Sequence, residues 1–483
     1  MNRLFSWLFQ QDGDSTPRQF KTVELLVLYV VGLVGWAYLL GWGRASLDYH
    51  DWTGINLPRL LYLQNAMLAG VWPLHMSGGH AMHGLTDRFL ALPDVVTSPQ
   101  TLLLLFMPVQ QFVLVDVLLQ YSIGFAGLAR LRRYFGWSPY AFAFVFLLFS
   151  FNGHILAHYS AGHFTWAAYF VFPWIALCLF TFLDGDRSWT LIAALAFAAL
   201  YMVLAGGIHQ LTWMLILLVL LAPCCGRHWW WPLAAATASV LVCAVRLLPP
   251  ALELASFRRV GFISDAIGFP STAHLLTALV TLRRELPPFH EALPGNIWFF
   301  DSAFYEFTAF IGVAGLAIVL AGAWLWLRQS TPRYAELMVP MLAMLVLTMG
   351  STFRIVRLMP IPLLEGERYT GRMLIVPLML LVLITAGALD RYWRRSGLSV
   401  WHRALAVTGL ALVAVDMAGA VRLGRVLVSI GTFNRAPFDP AIASVIERPD
   451  PVYVSVVMCG AAITLVTGIG LVVMARKPAK IER

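Results

Sequence analysis

Long apolar runs recur from one end of this chain to the other, and they constrain its fold more than any other feature. Of the 483 residues, 59% are hydrophobic and only 12% are charged. A soluble protein carries roughly twice that charged fraction. A run of about 20 apolar residues is long enough to cross a bilayer as a helix. The sequence therefore predicts an all-α polytopic membrane protein.

Twelve such runs can be placed along the chain. They lie at about 22–42, 101–127, 138–152, 164–183, 189–206, 209–223, 230–250, 306–327, 336–350, 373–390, 404–421 and 453–474. Several are short, which suits tilted or re-entrant helices packed against their neighbours. We expect residues 1–21 to form a cytoplasmic segment and residues 22–483 to form one transmembrane domain.

The basic residues predict which side of the membrane each loop occupies. With both termini inside, the inner segments are short and basic, as in LARLRRYFGW, DRYWRRSGLSVWHR and ARKPAKIER. The positive-inside rule therefore predicts an N-in, C-in protein of a bacterial-type cytoplasmic membrane. The long loops then face outward, at about 43–100, 251–305, 351–372 and 422–452.

The charge balance excludes nucleic acid as a predicted partner. The chain has 34 Lys and Arg against 25 Asp and Glu, but little soluble surface on which to display them. Loop topology, anionic membrane lipids and phosphate-bearing substrates explain the excess better. The predicted outer loops contain none of the five cysteines, so we expect no disulfide framework.

The first predicted outer loop carries the most chemistry. Residues 45–84 read ASLDYHDWTGINLPRLLYLQNAMLAGVWPLHMSGGHAMHG. Asp48 and Asp51 follow the first span and are three apart, so on a helix they would share one face. A carboxylate near the membrane is costly to place and often functional, although an ordinary solvated loop is the alternative. The leucines from Leu57 onward have amphipathic spacing and predict a helix on the membrane surface.

The position of these polar residues favours an enzyme over a transporter. Transporters usually bind their substrate near the bilayer midplane, on broken helices of two repeated halves. Residues 1–240 and 241–483 show no convincing repeat, and the polar chemistry lies in outer loops. We therefore expect an enzyme that works at the outer face.

Four segments follow one another in the order and spacing of a known family. They are LAGVWPLHMSGGHAMHG in the first outer loop, the stretch from LARLRRYFGW to FPWIAL, AGGIHQLTW at 205–213, and GERYTGRMLIVPLMLLVLITAGALD at 366–390. Over about 22–225 and 340–390 the chain resembles YfhO-like membrane proteins of the GT-C glycosyltransferase superfamily. It departs from them at His75, where the family has Trp, and near His80 and His83, where a Pro is missing.

The resemblance implies both a fold and an activity. The fold would be a GT-C-like bundle of about 12 transmembrane helices, with amphipathic helices in the outer loops. Such an enzyme takes a sugar from a polyprenyl-phosphate donor and transfers it to a glycolipid, polymer or protein acceptor. In the family a carboxylate of the first outer loop acts as base or orients the acceptor. That role falls on Asp51, or else on Asp48.

The phosphate of the donor calls for cations, and a guanidinium matches it bidentately. Arg368 and Arg372 are four apart, so on a helix start they would face the same way, toward an outer cavity. Contact with lipid headgroups is the alternative for both. The other candidates are His209 in the AGGIHQLTW segment and two arginine pairs of the 251–305 loop, Arg258–Arg259 and Arg283–Arg284.

Histidines in the same loop leave a metal site open. His50, with the neighbouring aspartates, could bind Mg or Mn, joined by His75, His80 or His83. Clustered loop histidines are more often hydrogen-bonding groups, and we interpret His154, His158 and His163 in that way.

Two other function classes stay open. Twelve spans would also suit a transporter of lipid-linked intermediates. A non-catalytic GT-C-fold subunit, which assembles with a partner in a membrane complex, would keep the fold without the chemistry.

Overall fold

The computed structural model describes residues 8–9, 18–76, 86–259, 266–282, 304–358, 364, 366–394, 399–429 and 445–476. The α-helices named below are α1 (Arg18–Leu39), α2 (Leu57–Leu68), α3 (Val109–Phe135), α4 (Pro139–Phe151), α5 (Gly153–Ser160), α6 (Phe172–Leu183), α7 (Trp189–Leu204), α8 (Ile208–Leu221), α9 (Trp230–Val242), α10 (Ala244–Arg259), α11 (Thr272–Val280), α12 (Gly312–Leu327), α13 (Met338–Leu347), α14 (Phe353–Val356), α15 (Ile375–Trp393), α16 (Val400–Leu427) and α17 (Pro451–Ala475). Short 3₁₀ helices include Pro99–Leu105, Phe164–Val171, Phe304–Glu306 and Thr370–Leu374, and Trp52–Asn56 is a π-helix.

Eight helices in these ranges are long and apolar enough to cross a membrane. They are Thr22–Leu39, Val109–Phe135, Pro139–Ser160, Phe164–Leu183, Ile208–His228, Thr370–Trp393, Val400–Leu427 and Pro451–Ala475. The pair α9 and α10, bent by 74°, is a ninth candidate, and Trp189–Leu204, Gly312–Leu327 and Ala335–Leu347 are shorter apolar helices.

These elements overlap the twelve predicted runs one by one. They confirm an all-α polytopic membrane protein. The number twelve stays a prediction, because the three shorter helices have 10–17 residues where a full crossing needs about 20.

The bounds of the second predicted span are wrong. The sequence placed it at about 101–127, with the arginines of LARLRRYFGW in a loop, but the helix is Val109–Phe135. Pro108 stands just before its first turn, and Gly136 ends it in the left-handed conformation at φ 63°. Arg132 therefore lies on the helix, buried, and donates to Glu24 at 2.9 Å.

Burial separates the centre of the bundle from its rim. In the most apolar 18 residues of Pro139–Ser160 and of Thr370–Trp393, 89% of the residues are buried. The corresponding share is 22% for Thr22–Leu39 and 11% for Pro451–Ala475, whose large apolar side chains remain exposed. Exposed apolar faces of this size suit contact with lipid.

The predicted amphipathic helix after the first span is present as α2. Leu60, Tyr62, Leu63 and Ala66 are buried on its inner face, while Leu68 at its end is exposed. Pro58 stands in its first turn, which directly follows the π-helix Trp52–Asn56, so its missing N–H falls where the helical hydrogen-bond pattern changes.

Two short strands fasten the segment after α2 to the segment before α17. β1 (His75–Met76) pairs antiparallel with β2 (Val445–Ile446), with His75 opposite Ile446. The phenol of Tyr62 donates to the carbonyl of His75 at 2.7 Å, which holds β1 against α2.

An ionic cluster reinforces this junction. Asp450 accepts from the backbone N–H of Tyr453 at 3.3 Å and so caps α17. It also accepts from Arg88 at 2.8 Å and 3.1 Å, and it lies 3.3 Å from Nε2 of His75. The hydrogen bonds from Arg88 lower the pKa of Asp450 to about 2. Arg88 bridges onward to Glu253 on α10.

We expect Asp450→Ala to loosen this junction. The substitution removes a helix cap and leaves Arg88 and His75 without their shared anion, so the free energy of unfolding should fall by about 2–3 kcal/mol. Asp87→Ala is the matched control, because Asp87 pairs with the exposed Arg448 in the same cluster and should cost less than about 1 kcal/mol. Thermal unfolding in detergent measures both; equal losses would contradict the assigned role of Asp450.

Candidate active site

The chain that leads to Asp51 is strained. Trp42, Leu47 and His50 have φ of 57°, 52° and 48°. These values lie in the left-handed region, which costs free energy for a residue with a Cβ because that atom comes too close to a carbonyl oxygen. Strain of this type is typical of functional sites. Asp51 then begins a helical stretch whose first turn, Trp52–Asn56, is a π-helix that continues into α2.

The strained backbone separates the two candidate aspartates. Asp48 lies in irregular chain between Leu47 and His50, before the helical stretch begins. The expectation that Asp48 and Asp51 share one helix face is therefore wrong. Asp48 is half-buried, and the geometry described below concerns Asp51.

Asp51 is fixed against the turn that follows α5. Its backbone N–H donates to the carbonyl of Ala161 at 3.0 Å, and the amide of Asn56 donates to the carbonyl of Gly162 at 2.6 Å. Gly162 has φ 99°, and a Cβ there would lie 2.2 Å from the backbone nitrogen of Trp52. Glycine is required because the two segments approach so closely.

Two imidazoles hold the carboxylate of Asp51. Oδ1 lies 2.8 Å from Nδ1 of His50, and Oδ2 lies 3.1 Å from Nε2 of His163. The phenol of Tyr305 lies 3.0 Å from Nε2 of His50 on the other side of that ring. The side chain of Asp51 remains 23% exposed, so an incoming hydroxyl can reach it.

These contacts set the charge of the group. Burial alone would raise the pKa of Asp51, but the hydrogen bonds from His163 and His50 outweigh it and hold the pKa far below its ordinary value. Burial likewise opposes the charged form of His50, yet the hydrogen bond and charge of Asp51 raise the pKa of His50. Burial raises the pKa of Tyr305, which stays a neutral phenol. Asp51 is therefore an ionised carboxylate at any physiological pH.

Histidine and tryptophan rings line the wall behind His163. Nδ1 of His163 lies 2.7 Å from Nδ1 of His158, whose ring stacks on Trp166 at 4.5 Å. The indole of Trp166 donates to Nε2 of His154 at 3.1 Å. The three histidines thus act as hydrogen-bonding groups, as interpreted from the sequence.

Arg372 and Glu306 form a buried ion pair next to this wall. Both guanidinium nitrogens Nε and Nη2 donate to the carboxylate of Glu306. The guanidinium carbon lies 4.9 Å from the ring of Trp166 and 4.8 Å from that of Tyr369. The cluster therefore contains a cation, Arg372, whose charge is balanced by the carboxylate of Glu306 and not by a lipid headgroup.

The predicted helical pairing of Arg368 with Arg372 is wrong. The chain around Arg368 is extended, since its carbonyl accepts from the N–H of Ile267 at 2.8 Å and Tyr369 forms a β-bridge with Ile267. The helical turn starts only at Thr370, and it is a 3₁₀ turn. Arg368 is half-buried, with its guanidinium 4.9 Å from the ring of Tyr369.

A second carboxylate–imidazole pair includes the predicted residue His209. Nδ1 of His209, at the start of α8, lies 2.6 Å from Oε1 of Glu367. The indole of Trp213 donates to Oε2 of the same carboxylate at 3.0 Å. The ring of His209 lies 5.4 Å from that of Trp166, so this pair adjoins the first cluster.

A narrow apolar groove, with a free volume of only about 20 Å³, lies beside Trp213. Its walls are Tyr169, Phe172, Ile175, Met202, Gln210, Trp213, Met214, Leu217, Ile375 and Val376. The amide nitrogen and oxygen of Gln210 are buried in its lining and have no hydrogen-bond partner among the described residues. The groove as it stands has room for about one water molecule, next to one buried polar amide.

Of the histidines predicted as metal ligands, His50 and His75 lie in the described part of the chain, and each makes different contacts. His75 is buried against Asp450, whereas His50 bonds to Asp51 and Tyr305. Within the described ranges, no group of three or more His, Cys, Asp or Glu could hold a metal ion.

Several predicted residues lie outside the described part of the chain. His80, His83, Arg283 and Arg284 are among them, and so are the side chains of Arg258 and Arg259.

Sequence reasoning missed the two carboxylates that balance the cations. Glu306 and Glu367 are 3% and 1% exposed, and each flanks an apolar run. An acid at the edge of a predicted span is costly unless it is paired, so this position was the available signal. Tyr305 and Trp166 carry no such signal, because aromatic residues are common at span ends.

Among solved structures, the chain is similar to the arabinofuranosyltransferase AftD from Mycobacteria, with a TM-score of 0.48 and 17% sequence identity. The match covers 86% of this chain and 28% of that one, so the chain spans less than a third of its length. The chain matches no protein-family model, and no curated protein matches its sequence.

We expect Gly162→Ala to dismantle the site. The new Cβ meets the backbone of Trp52 and the conformation at φ 99° disfavours it, so the loss should be about 2–5 kcal/mol. Gly185→Ala is the matched control, because Gly185 has φ 112° but its nearest neighbour for a Cβ is 3.9 Å away. That variant should lose only about 1–2 kcal/mol. Thermal unfolding compares the two; equal losses would mean that the close approach at Trp52 is unimportant.

Proposed function

We propose that this chain is a GT-C-type membrane glycosyltransferase that transfers a sugar from a polyprenyl-phosphate donor to an acceptor hydroxyl at the outer face of the cytoplasmic membrane. One observation carries the proposal: the ionised, accessible carboxylate of Asp51 lies in a cluster that also contains the buried guanidinium of Arg372, and this cluster adjoins a narrow apolar groove. A lipid-linked sugar has three parts that these features match: the carbon that the acceptor attacks lies near Asp51, the phosphate near the cation, and the apolar chain in the groove.

Asp51 receives the acceptor. The hydroxyl of the acceptor donates to the carboxylate, and its oxygen forms the new bond to the anomeric carbon. The bond from that carbon to the phosphate oxygen breaks, and the electron pair leaves with the phosphate. Because His50 and His163 lower the basicity of Asp51, we expect it to orient the hydroxyl first and to take the proton late.

Arginines beside the groove would neutralise the departing phosphate. Arg368 directly follows Glu367 in the sequence, and Arg372 lies 4.9 Å from the ring of Trp166. His209, which is hydrogen-bonded to Glu367 and 5.4 Å from the same ring, would add a hydrogen bond. Arg372 is already paired with Glu306, so its part would be electrostatic stabilisation from behind. Arg368 has the guanidinium that we assign to direct contact with the phosphate.

The groove is where we place the prenyl chain of the donor, because its lining is apolar apart from Gln210, whose unpartnered amide suits the phosphate end of the chain. Since the free volume is only about 20 Å³, the chain enters only if the lining side chains move apart. The acceptor, whether glycolipid, polymer or protein, would approach on the side of Tyr305 and His50, where Asp51 is exposed.

We expect Asp51→Asn to reduce transfer about 100-fold or more, because the amide keeps the size of the side chain but cannot take a proton. Asp48→Asn should cause a much smaller loss. Transfer from synthetic polyprenyl-phosphate pentoses and hexoses by the purified protein measures both. If Asp48→Asn proves the more damaging, the role belongs to Asp48. If the folded, unaltered protein transfers none of these sugars, a non-catalytic membrane-complex subunit becomes the better account.

We expect Arg368→Lys to weaken the apparent affinity for the donor about tenfold, since lysine keeps the charge but loses the bidentate fork. Arg328→Lys is the matched control, because Arg328 also stacks on a neighbouring ring, that of Trp324 at 4.1 Å, but follows α12 away from the cluster. Donor-concentration curves measure the effect. Unchanged affinity in Arg368→Lys would make Arg368 a lipid anchor and leave the Arg258–Arg259 or Arg283–Arg284 pair as phosphate ligands.

A further inference from the structure

His158 has no task in the reaction proposed above, yet it is wholly buried and bonded to a residue that touches Asp51. Its Nδ1 lies 2.7 Å from Nδ1 of His163, and Nε2 of His163 lies 3.1 Å from Oδ2 of Asp51. Nε2 of His158 has no hydrogen-bond partner among the described residues.

This chain of contacts fixes where the protons lie. A neutral imidazole carries one N–H and one bare nitrogen, and two nitrogens in a hydrogen bond share one proton. Asp51 is an acceptor only, so Nε2 of a neutral His163 carries the proton that points to it. Nδ1 of His163 is then bare, and Nδ1 of His158 must be the donor.

The surroundings disfavour the other arrangements. If His163 were neutral with its proton on Nδ1, a bare nitrogen would face an ionised carboxylate at 3.1 Å. If His163 carried two protons, His158 would accept, and its own proton would lie on the buried, unpartnered Nε2. A buried N–H without a partner is rarer than an unused acceptor. The neighbourhood also holds a cation already, since Arg372 lies 4.9 Å from the Trp166 ring on which His158 stacks.

We propose that His158 is a positioning residue: by donating from Nδ1 it occupies the bare nitrogen of His163 and keeps His163 singly protonated, with its N–H toward Asp51. His163 then presents an N–H to Asp51, and His50 presents a second one to the other oxygen. The carboxylate is held in one orientation, with its remaining lone pairs toward the acceptor. The tautomer itself is independent of the proposed function; only its catalytic consequence rests on that function.

Nitrogen NMR of the full-length protein, labelled with ¹⁵N-histidine, tests the tautomer directly. The signals of His158 and His163 are assigned by their loss in the variants His158→Phe and His163→Gln. We expect His163 to be protonated on Nε2 alone and His158 on Nδ1 alone. In His158→Phe, no donor occupies Nδ1 of His163, so a doubly protonated His163 should appear, with Nε2–H still directed to Asp51.

Two further variants control this measurement. His158→Asn keeps an N–H donor near the position of Nδ1, so His163 should stay singly protonated on Nε2. This variant also tests the proposal if His158→Phe fails to fold. In His154→Phe the tautomer should be unchanged, because the ring of His154 lies 4.5 Å from that of His158 but has no hydrogen bond to His163 in the described structure.

Transfer activity supplies an independent double-mutant cycle. His158→Phe should reduce transfer about tenfold, in line with the loss of one buried hydrogen bond. The glutamine amide in His163→Gln donates its N–H to Asp51 and has no ring nitrogen whose protonation His158 could control. Adding His158→Phe to His163→Gln should therefore cost less than about twofold more.

The outcomes separate the inference from the function on which it builds. Equal losses from His158→Phe in both backgrounds, a doubly protonated His163 in the unaltered protein, or a His163 that stays singly protonated in His158→Phe would each overturn the role of His158. The expected change in protonation in a protein that transfers no sugar would uphold the role of His158 and defeat the proposed function instead.

Discussion

The hydrogen bond from the backbone N–H of Asp51 to the carbonyl of Ala161 is the contact on which the site depends. It joins the strained loop after α1 to the turn between α5 and the following 3₁₀ helix. Backbone polar groups buried near a membrane must be paired within the protein, so this contact also removes the cost of burying the turn. Because Gly162 lets the two chains meet without a side chain between them, Asp51 and His163 come within hydrogen-bonding distance.

Each carboxylate in the cluster around that contact has a nitrogen partner. Glu306 pairs with Arg372, Glu367 with His209, and Asp51 with His50 and His163. Removing one partner of a buried ion pair such as Arg372–Glu306 costs more than the pair contributes. An entering phosphate must therefore compete with carboxylates that already accept from these nitrogens. Preorganisation of this kind lowers the reorganisation needed at the moment of reaction.

Apolar patterning predicted the helices because each run must satisfy its own backbone in the membrane. It also located Asp51 and His209 in polar breaks between runs. The spacing of Asp48 and Asp51, and that of Arg368 and Arg372, suggested helix faces that do not exist. Leu47 and His50 adopt left-handed conformations, and Tyr369 forms a bridge with Ile267, so neither pair lies on continuous helix. The local pattern could mark Glu306 and Glu367 as acids that need partners, but it could not identify those partners, which are 66 and 158 residues away.

The pairing of β1 with β2 constrains how the protein is made. His75 and Asp450 are 375 residues apart, yet they belong to one junction that includes the loop after α2 and the cap of α17. A ribosome releases the first of these segments long before the second. β1 therefore has no partner strand until β2 and α17 have been synthesised. The contacts of Asp51 with His50, His163 and Ala161 need none of this later segment, so the carboxylate can be held in place before the junction around it closes.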